Sequence, residues 1–432
     1  MATVTPVTPG AGHRLRPAHA QPASCRTAAA PTLGVEEEFV LLDPASGLPA
    51  LAAPDLLRLL DGEPGPQAEY MRFQFETVTR VCTRLDEVRS ELLRLRRLAA
   101  AGAEHLGCRL VATGVAPYPV PGLAALTDQA RYRELARRYP RQTPESGTCA
   151  CHVHVGVPSR DLGVQVLARL RPWLAPLLAL SANSAIADGQ DTAWASWRYP
   201  LVSRWPTARP PAVWADAAHY DATIRRLIRQ GAALDQASVY FLARLSARYP
   251  TVEVRVADVC PDIDTAVLLA ALVRALVTTA LAEARSGARL RPVRDGRVAA
   301  GLVAAARHGL GGYGVDPFTG RQVPQHSLLD RLLDQVHAAL DATGDADEVA
   351  VLLRRLDERG TGADRQRAMW SAAGSARDFT EALAAATRAV AADQTGPDQG
   401  REVGHPAARG ERADQPARRH RRAQPERAAG RR

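Results

Sequence analysis

Four short stretches of this 432-residue chain set carboxylates, imidazoles and guanidiniums at alternate positions among apolar residues. They are Glu36-Glu37-Glu38 within the run 33–42, Gln74-Phe75-Glu76, His152-Val153-His154, and Glu253-Val254-Arg255. Alternation with period two marks a strand, whose successive side chains point to opposite faces. Glu36 and Glu38 therefore share one face, while Glu37 turns with Val35 and Phe39 to the other and is expected to be structural. Like charges side by side on a half-buried face repel each other and resist desolvation, so a cation, a proton or an arginine has to offset them. Taken singly, each residue has a plain structural explanation: a solvated charge run, a packed histidine, a Glu–Arg salt bridge. Recurrence over four strands is harder to explain that way. It predicts a sheet whose polar faces line one cleft. Carboxylates with imidazoles suit hard cations such as Mg2+ or Mn2+, and such cations beside arginines suit triphosphate chemistry. A zinc reading of Cys149-x-Cys151-His152-x-His154 is weaker, because adjacent strand residues point apart and no second cysteine pair lies near.

The elements that would position these residues are legible in outline. Strands are expected over 33–42, 73–81, 110–114, 153–157 and 251–257. A helix over 85–106 carries Leu85, Val88, Leu92, Leu95 and Leu98 on one stripe. A second helix, 162–187, should kink at Pro172 and Pro176. The loop 188–211 is long, and its Trp194, Trp197 and Trp205 make it too aromatic for disorder. Helix resumes over 212–234 and again from 265 to about 392. Residues 1–32 and 393–432 read as disordered tails.

Composition excludes several function classes. The 55 basic residues are all arginine, so no lysine Schiff base, P-loop lysine or adenylylated lysine can form. Any phosphate must be held by arginine, metal or backbone amides. Three arginines and no acid over 1–32, with nine arginines against three acids over 409–432, account for the whole net charge of +9. The body between them is neutral, which argues against a nucleic-acid partner. Six cysteines show no disulfide framework, and no signal peptide is evident, so a cytoplasmic protein is expected. The apolar stretch 164–187 carries Arg169, Arg171 and two prolines, and reads as buried helix rather than membrane span.

Longer motifs surround the four strands. They are Thr32-Leu-Gly-Val-Glu-Glu-Glu-Phe39, Cys151-His-Val-His-Val-Gly-Val157, Leu180-Ser-Ala-Asn-Ser184 and Ala195-Ser-Trp-Arg198. Ser203-Arg-Trp-Pro-Thr207, Pro250-Thr-Val-Glu-Val-Arg-Val-Ala-Asp-Val-Cys-Pro261 and Gly360-Thr-Gly-Ala-Asp-Arg-Gln-Arg367 follow. In these motifs and their order, over roughly 32–390, the chain resembles the glutamate–cysteine ligase type 2 family, carboxylate–amine ligases related to glutamine synthetase. The resemblance implies an α+β fold with an antiparallel sheet forming an open cleft backed by helices, in one catalytic domain over 33–392. It implies a ligase dependent on ATP and on Mg2+ or Mn2+, with small-molecule carboxylate and amine substrates and no nucleic-acid or membrane partner; a homodimer stays open. The default reaction joins glutamate to cysteine through an acyl phosphate. The alternatives are the same chemistry on another acid and amine, or a catalytically weak nucleotide-binding protein. Carried over residue by residue, Glu36, Glu38, Glu69, Glu76, His152 and Glu253 would hold metal, with Glu69 coming from the turn before the second strand. Arg255, with Arg198 or Arg204, would act on phosphate, and Arg255, Arg204 and His154 would bind the nucleotide. The chain departs from the family in having Gly114-Val-Ala-Pro117 for Gly-Thr-His-Pro, Cys149-Ala-Cys151 for Cys-Gly-Met, and Tyr240-Phe-Leu-Ala-Arg244 for Tyr-Trp-Asp-Val-Arg. It also has Val303-Ala304 for a Trp-Arg pair.

Overall fold

The structure, a computed structural model, describes residues 30–145 and 147–389. The two tails, apart from residues 30–32, lie outside the described residues, and so does their expected disorder.

Among the described residues eleven strands occur in chain order: β1 (Leu33–Leu42), β2 (Pro66–Ala68), β3 (Gln74–Val78), β4 (Arg109–Val111), β5 (Cys151–Gly156), β6 (Ile186–Ala187), β7 (Gln190–Asp191), β8 (Ala243–Leu245), β9 (Thr251–Val254), β10 (Tyr313–Val315) and β11 (Gln322–Pro324). Seven of them form one sheet in the order β2-β3-β1-β5-β9-β8, with β4 paired to the C-terminal end of β1. Every pairing in it is antiparallel. With helices against its back, this is an α+β fold.

Register decides where the polar residues go. Glu38 lies opposite Glu76, Glu36 opposite His152, and His154 opposite Glu253, which in turn faces Arg244. All of them share the front of the sheet. The back presents Val35, Phe39 and Leu41 of β1, Phe75 of β3, Val153 and Val155 of β5, and Val252 and Val254 of β9, all fully or almost fully buried. Against this back pack the helices Leu85–His105 and Ile263–Arg285. The latter is long and apolar enough to cross a membrane, yet it is a core helix, with 83% of its apolar 18-residue window buried. Its Arg274 is paired inside the protein with Asp345.

Several expected boundaries move for physical reasons. The helix expected over 162–187 is two helices, Arg160–Leu170 and Leu174–Ser181, joined by a 3₁₀ turn at Arg171–Trp173. Pro172 causes that break, whereas Pro176 stands in the first turn of the second helix, where an N–H has no intrahelical partner to lose. The strand expected over 73–81 keeps only Gln74–Val78, and that over 251–257 ends at Val254, leaving Arg255 just beyond it. The hairpin β10–β11 interrupts the expected helical run from 265 to 392. Inside the loop expected over 188–211 lie β7 and a five-residue helix, Arg198–Val202.

Candidate active site

The front of the sheet forms the floor of a cavity of about 600 Å3. Its wall comes from the helix Ala130–Arg138, through Tyr132 and Leu135, and from Val202, Trp205 and Tyr240, whereas Leu242 continues β8 in the floor, its carbonyl accepting from the Arg255 amide. The two parts of this wall are tied by Arg131, whose Nε and Nη2 donate to Asp235 at 2.7 and 3.0 Å. Aromatic pairs stiffen it, Tyr70 against Tyr132 at 5.0 Å and Trp205 against Tyr240 at 5.1 Å between ring centroids.

Glu36 is the centre of the floor. Its Oε2 lies 3.1 Å from His152 Nδ1 and its Oε1 3.1 Å from His154 Nε2. Burial alone would raise its pKa, but the two imidazoles hold the carboxyl far below the usual range. His152 itself is pushed down to about 4, by burial and then by Arg255, so it is neutral and keeps a lone pair. His154 is oriented by Thr251, whose Oγ1 lies 2.9 Å from Nδ1.

One side of Glu36 is crowded with carboxylates. Burial, then repulsion from Glu69, pushes Glu38 up to about 8. Glu76 stands well above its ordinary value because of burial and the charges of Glu69, Glu36 and Glu38. Glu69 comes from the turn between β2 and β3 and is likewise raised, first by burial. Ligand atoms of Glu38, Glu69 and Glu76 come within 4.8 Å of one another, as do those of Glu36, Glu76 and His152, and those of Glu36, His154 and Glu253. The three groups share members and so form a chain of overlapping oxygen-and-imidazole pockets. Buried carboxylates in this arrangement need protons or cations, and oxygens with a few imidazoles suit Mg2+ or Mn2+. His154 Nε2 supplies an independent sign. It is buried and, although near Glu36, has no aligned hydrogen-bond partner. No cysteine enters any of these groups among the described residues; Cys149 and Cys151 are fully buried, which leaves the zinc reading without its two cysteine ligands.

Arginines cover the other side. Glu253 is gripped by two: Arg244 donates to it in a fork at 2.8 and 3.1 Å, and Arg255 pairs with it directly. Burial would raise the pKa of Glu253, but the two guanidiniums hold it far below the usual range. The plain Glu253–Arg255 salt bridge thus exists, and it sits inside the cavity. Arg198 reaches the cavity from the helix Arg198–Val202. It donates to the carbonyls of Val256 and Arg255 at 3.3 Å and lies 3.8 Å from Asp258 Oδ1.

Asp258 explains how three distant motifs meet. It is fully buried and accepts from the Asn183 amide at 2.9 Å, the Ser184 hydroxyl at 2.7 Å and the Ser196 hydroxyl at 2.8 Å. A Cβ on Gly114 would stand 2.8 Å from its carboxyl, so that position has no room for a side chain. Asp258→Asn should therefore misplace Arg198 and weaken binding of inorganic tripolyphosphate to the cavity by roughly tenfold, since one partner of a buried charged network is lost. Equilibrium titration with tripolyphosphate and Mg2+ checks this, and wild-type affinity would refute it.

Nine of the ten residues singled out in the sequence line the cavity: Glu36, Glu38, Glu69, Glu76, His152, His154, Glu253, Arg198 and Arg255. Arg204 does not line it; this residue is exposed two positions past the end of the helix Arg198–Val202. Arg244, Arg131, Tyr132, Tyr240, Arg248 and Tyr249 line it without having been foreseen. Arg244 lies on a three-residue strand, too short to display alternation, and its opposition to Glu253 is a matter of register.

Comparison with known proteins gives a consistent result. The sequence model of the glutamate-cysteine ligase family 2 matches residues 32–414. A Mycolicibacterium vanbaalenii protein carrying the provisional name glutamate–cysteine ligase 2-2 is 45% identical over 358 residues, which is 83% of this chain and 98% of that protein. A Salinispora tropica protein with the provisional name glutamate–cysteine ligase 2 is 45% identical over 367 residues, 84% of this chain and 96% of its own length. The crystal structure of glutamate–cysteine ligase from Francisella tularensis in complex with AMP superposes with a TM-score of 0.61 at 15% identity, covering 84% of this chain and 90% of that one. At such low identity, what that match establishes is the fold.

Proposed function

This chain belongs to the glutamate-cysteine ligase family 2, whose members are ATP-dependent amide-forming ligases, and we propose that it joins L-glutamate to L-cysteine, yielding γ-glutamylcysteine, ADP and phosphate. The observation that carries the reading is the convergence of five carboxylates and two imidazoles with Arg198, Arg244 and Arg255 in one cavity. In the proposed reaction the γ-carboxylate oxygen of glutamate attacks the γ-phosphorus of ATP and ADP leaves. The cysteine amine then attacks the acyl carbon, phosphate departs, and the amine loses a proton. Mg2+ or Mn2+ held by Glu36, Glu38, Glu69, Glu76, His152 and Glu253 would neutralise phosphate charge when bound.

The chain's own groups supply the rest. Arg255 and Arg198 offer N–H donors to phosphate oxygens from a partly desolvated wall, where such donors act strongly. Arg244 fixes the carboxylate of Glu253 and so orients Arg255 as well. His152 stays neutral and can serve as a ligand. An acyl phosphate is activated enough that no strong general base is required at the amine. All five described cysteines are free and buried, which suits a reducing compartment such as the cytoplasm.

One observation favours the same chemistry on a different pair. Leu242 lines the cavity where the family motif carries an aspartate, so an acidic side chain at this position is replaced by an apolar one. Purified protein with Mg2+, ATP, glutamate and cysteine is expected to release ADP and phosphate, and a panel of acid and amine pairs ranks the substrates. Release of AMP and pyrophosphate would rule out the acyl phosphate, and silence across the panel would leave a nucleotide-binding protein without ligase turnover.

A further inference from the structure

Thr251 is the first residue of β9, and strand parity puts its side chain on the front of the sheet with Glu253. Directly opposite it on β5 is Gly156, where a Cβ would stand 2.7 Å from the Thr32 hydroxyl, so that place has no room for a side chain. His154 is the diagonal neighbour, and its Nδ1 lies 2.9 Å from the Thr251 hydroxyl. Tyr249 stands edge-on to the same ring at 6.2 Å between centroids. The fold does not depend on this hydroxyl. Thr251 is secured through its backbone, its amide donating to the Tyr249 carbonyl at 2.8 Å and its carbonyl accepting from the Ser246 amide at 3.0 Å. Among the described residues the hydroxyl has no second partner. The other ring nitrogen of His154, Nε2, is buried without an aligned partner and lies 3.1 Å from Glu36 Oε1. His154 also groups with Glu36 and Glu253, ligand atoms of all three within 4.8 Å of one another. An imidazole binds a cation through one nitrogen while the other carries the proton, and the group beside that other nitrogen decides which form prevails.

We propose that Thr251 is a positioning residue for the cation row: its hydroxyl accepts from Nδ1–H of His154 and so presents the Nε2 lone pair to a divalent cation beside Glu36 and Glu253. The inference rests on the cation row of the ligase reading. To that row it adds a nitrogen ligand and the residue that orients it, where the family resemblance gave His154 to the nucleotide and Thr251 no role. An apolar side chain in place of Thr251 cannot accept from Nδ1–H. The proton then moves to Nε2, where the Glu36 carboxylate attracts it, and the lone pair turns away from the cation.

The test is binding of Mn2+ to the full chain, read from the free-ion signal in electron paramagnetic resonance, which needs no turnover. Thr251→Val keeps the shape and removes the hydroxyl. It is expected to weaken one cation position by about tenfold to a hundredfold, the scale of losing the outer partner of a ligating imidazole. Thr251→Ser should bind as wild type. His154→Ala should lose at least as much as Thr251→Val, and the double variant no more than His154→Ala alone, because the hydroxyl acts through the ring. The metal-free melting temperature of Thr251→Val should match wild type, which separates the loss from misfolding. Wild-type Mn2+ affinity in Thr251→Val, or losses that add in the double variant, would overturn the inference and leave the ligase reading standing. A wild-type chain that binds no Mn2+ would overturn both, whereas the expected cycle in a chain that releases no ADP would support this inference and remove the ligase reading.

Discussion

Glu76→Gln is expected to lower ADP release by about a thousandfold, the scale of losing one preorganised electrostatic contact at a reacting phosphate, without lowering the melting temperature. Glu76 belongs to two of the three ligand groups, Glu36–Glu76–His152 and Glu38–Glu69–Glu76, so its loss weakens two adjacent cation positions at once. The fold should not suffer. The carboxyl of Glu76 is held well above its ordinary pKa by burial and by three neighbouring glutamates, which means that its charge is opposed by its surroundings when no cation is present. Glutamine keeps the volume and removes that repulsion. Wild type should also gain thermal stability on addition of Mg2+, because a ligand that binds only the native state stabilises it, and Glu76→Gln should gain much less. Turnover within tenfold of wild type, or an undiminished Mg2+ shift, would remove Glu76 from the metal set.

How much of this was legible in the sequence follows from which features are local. Strand parity is local. It split the Glu36-Glu37-Glu38 triplet correctly, because β1 is ten residues of unbroken strand, paired in continuous register with β3 across the whole triplet and with β5 as far as Glu37. The resemblance supplied residues that parity could not, such as Glu69, which stands in a turn whose backbone carbonyl is held by the Thr127 hydroxyl at 2.7 Å. Side-chain direction past the end of a strand is not local. Arg255 follows the last residue of β9 and still reaches the front, because Arg198 and Leu242 secure its backbone. Arg204 misled for the complementary reason: it sits in a motif-bearing stretch, yet what that stretch delivers to the cavity is Trp205 and Val202.

The motif at 360–367 was equally visible and has a different meaning in three dimensions. Thr361 and Asp364 cap a helix reciprocally. Gln366 donates to the Asn183 carbonyl at 2.8 Å and accepts from the Ala185 amide at 2.8 Å, while a Cβ on Gly362 would meet Asn183 at 2.4 Å. Asn183 and Ser184 hold Asp258, and Asp258 lies against Arg198. A sequence motif more than a hundred residues from any front-face strand therefore acts on the cavity through a chain of buried hydrogen bonds, and sequence alone gives no order to such a chain.

Glu37→Gln is expected to destabilise the protein by roughly 3–5 kcal/mol, the usual cost of breaking a buried ion pair from one side, with turnover per folded molecule retained. Glu37 and Arg96 are 0% and 1% exposed, and the guanidinium meets both carboxylate oxygens, at 2.9 Å through Nε and 2.5 Å through Nη2. The same guanidinium also donates to the Thr387 carbonyl at 3.1 Å and the Cys260 carbonyl at 2.9 Å, and it stacks over Phe39 at 5.5 Å. The pair thus joins β1 to the helix Leu85–His105, to the last described helix and to the segment leading into the core helix. Removing the charge of Glu37 leaves Arg96 charged in the core with only carbonyls for partners. Urea unfolding should show the loss as a lowered midpoint with an unchanged slope. Replacing both residues by leucine should recover part of it, since a buried pair exchanged for apolar groups of similar size is often neutral, although the two orphaned carbonyls limit the recovery. The contrast with Glu38 is the decisive part. One residue further along the same strand, the same substitution should cost activity and little stability, because that side chain points to the front, where burial and Glu69 oppose its charge and the missing partner is a cation. An unfolding free energy for Glu37→Gln within about 1 kcal/mol of wild type, or a loss of turnover in its folded fraction, would show that the triplet is not divided between the two faces in this way.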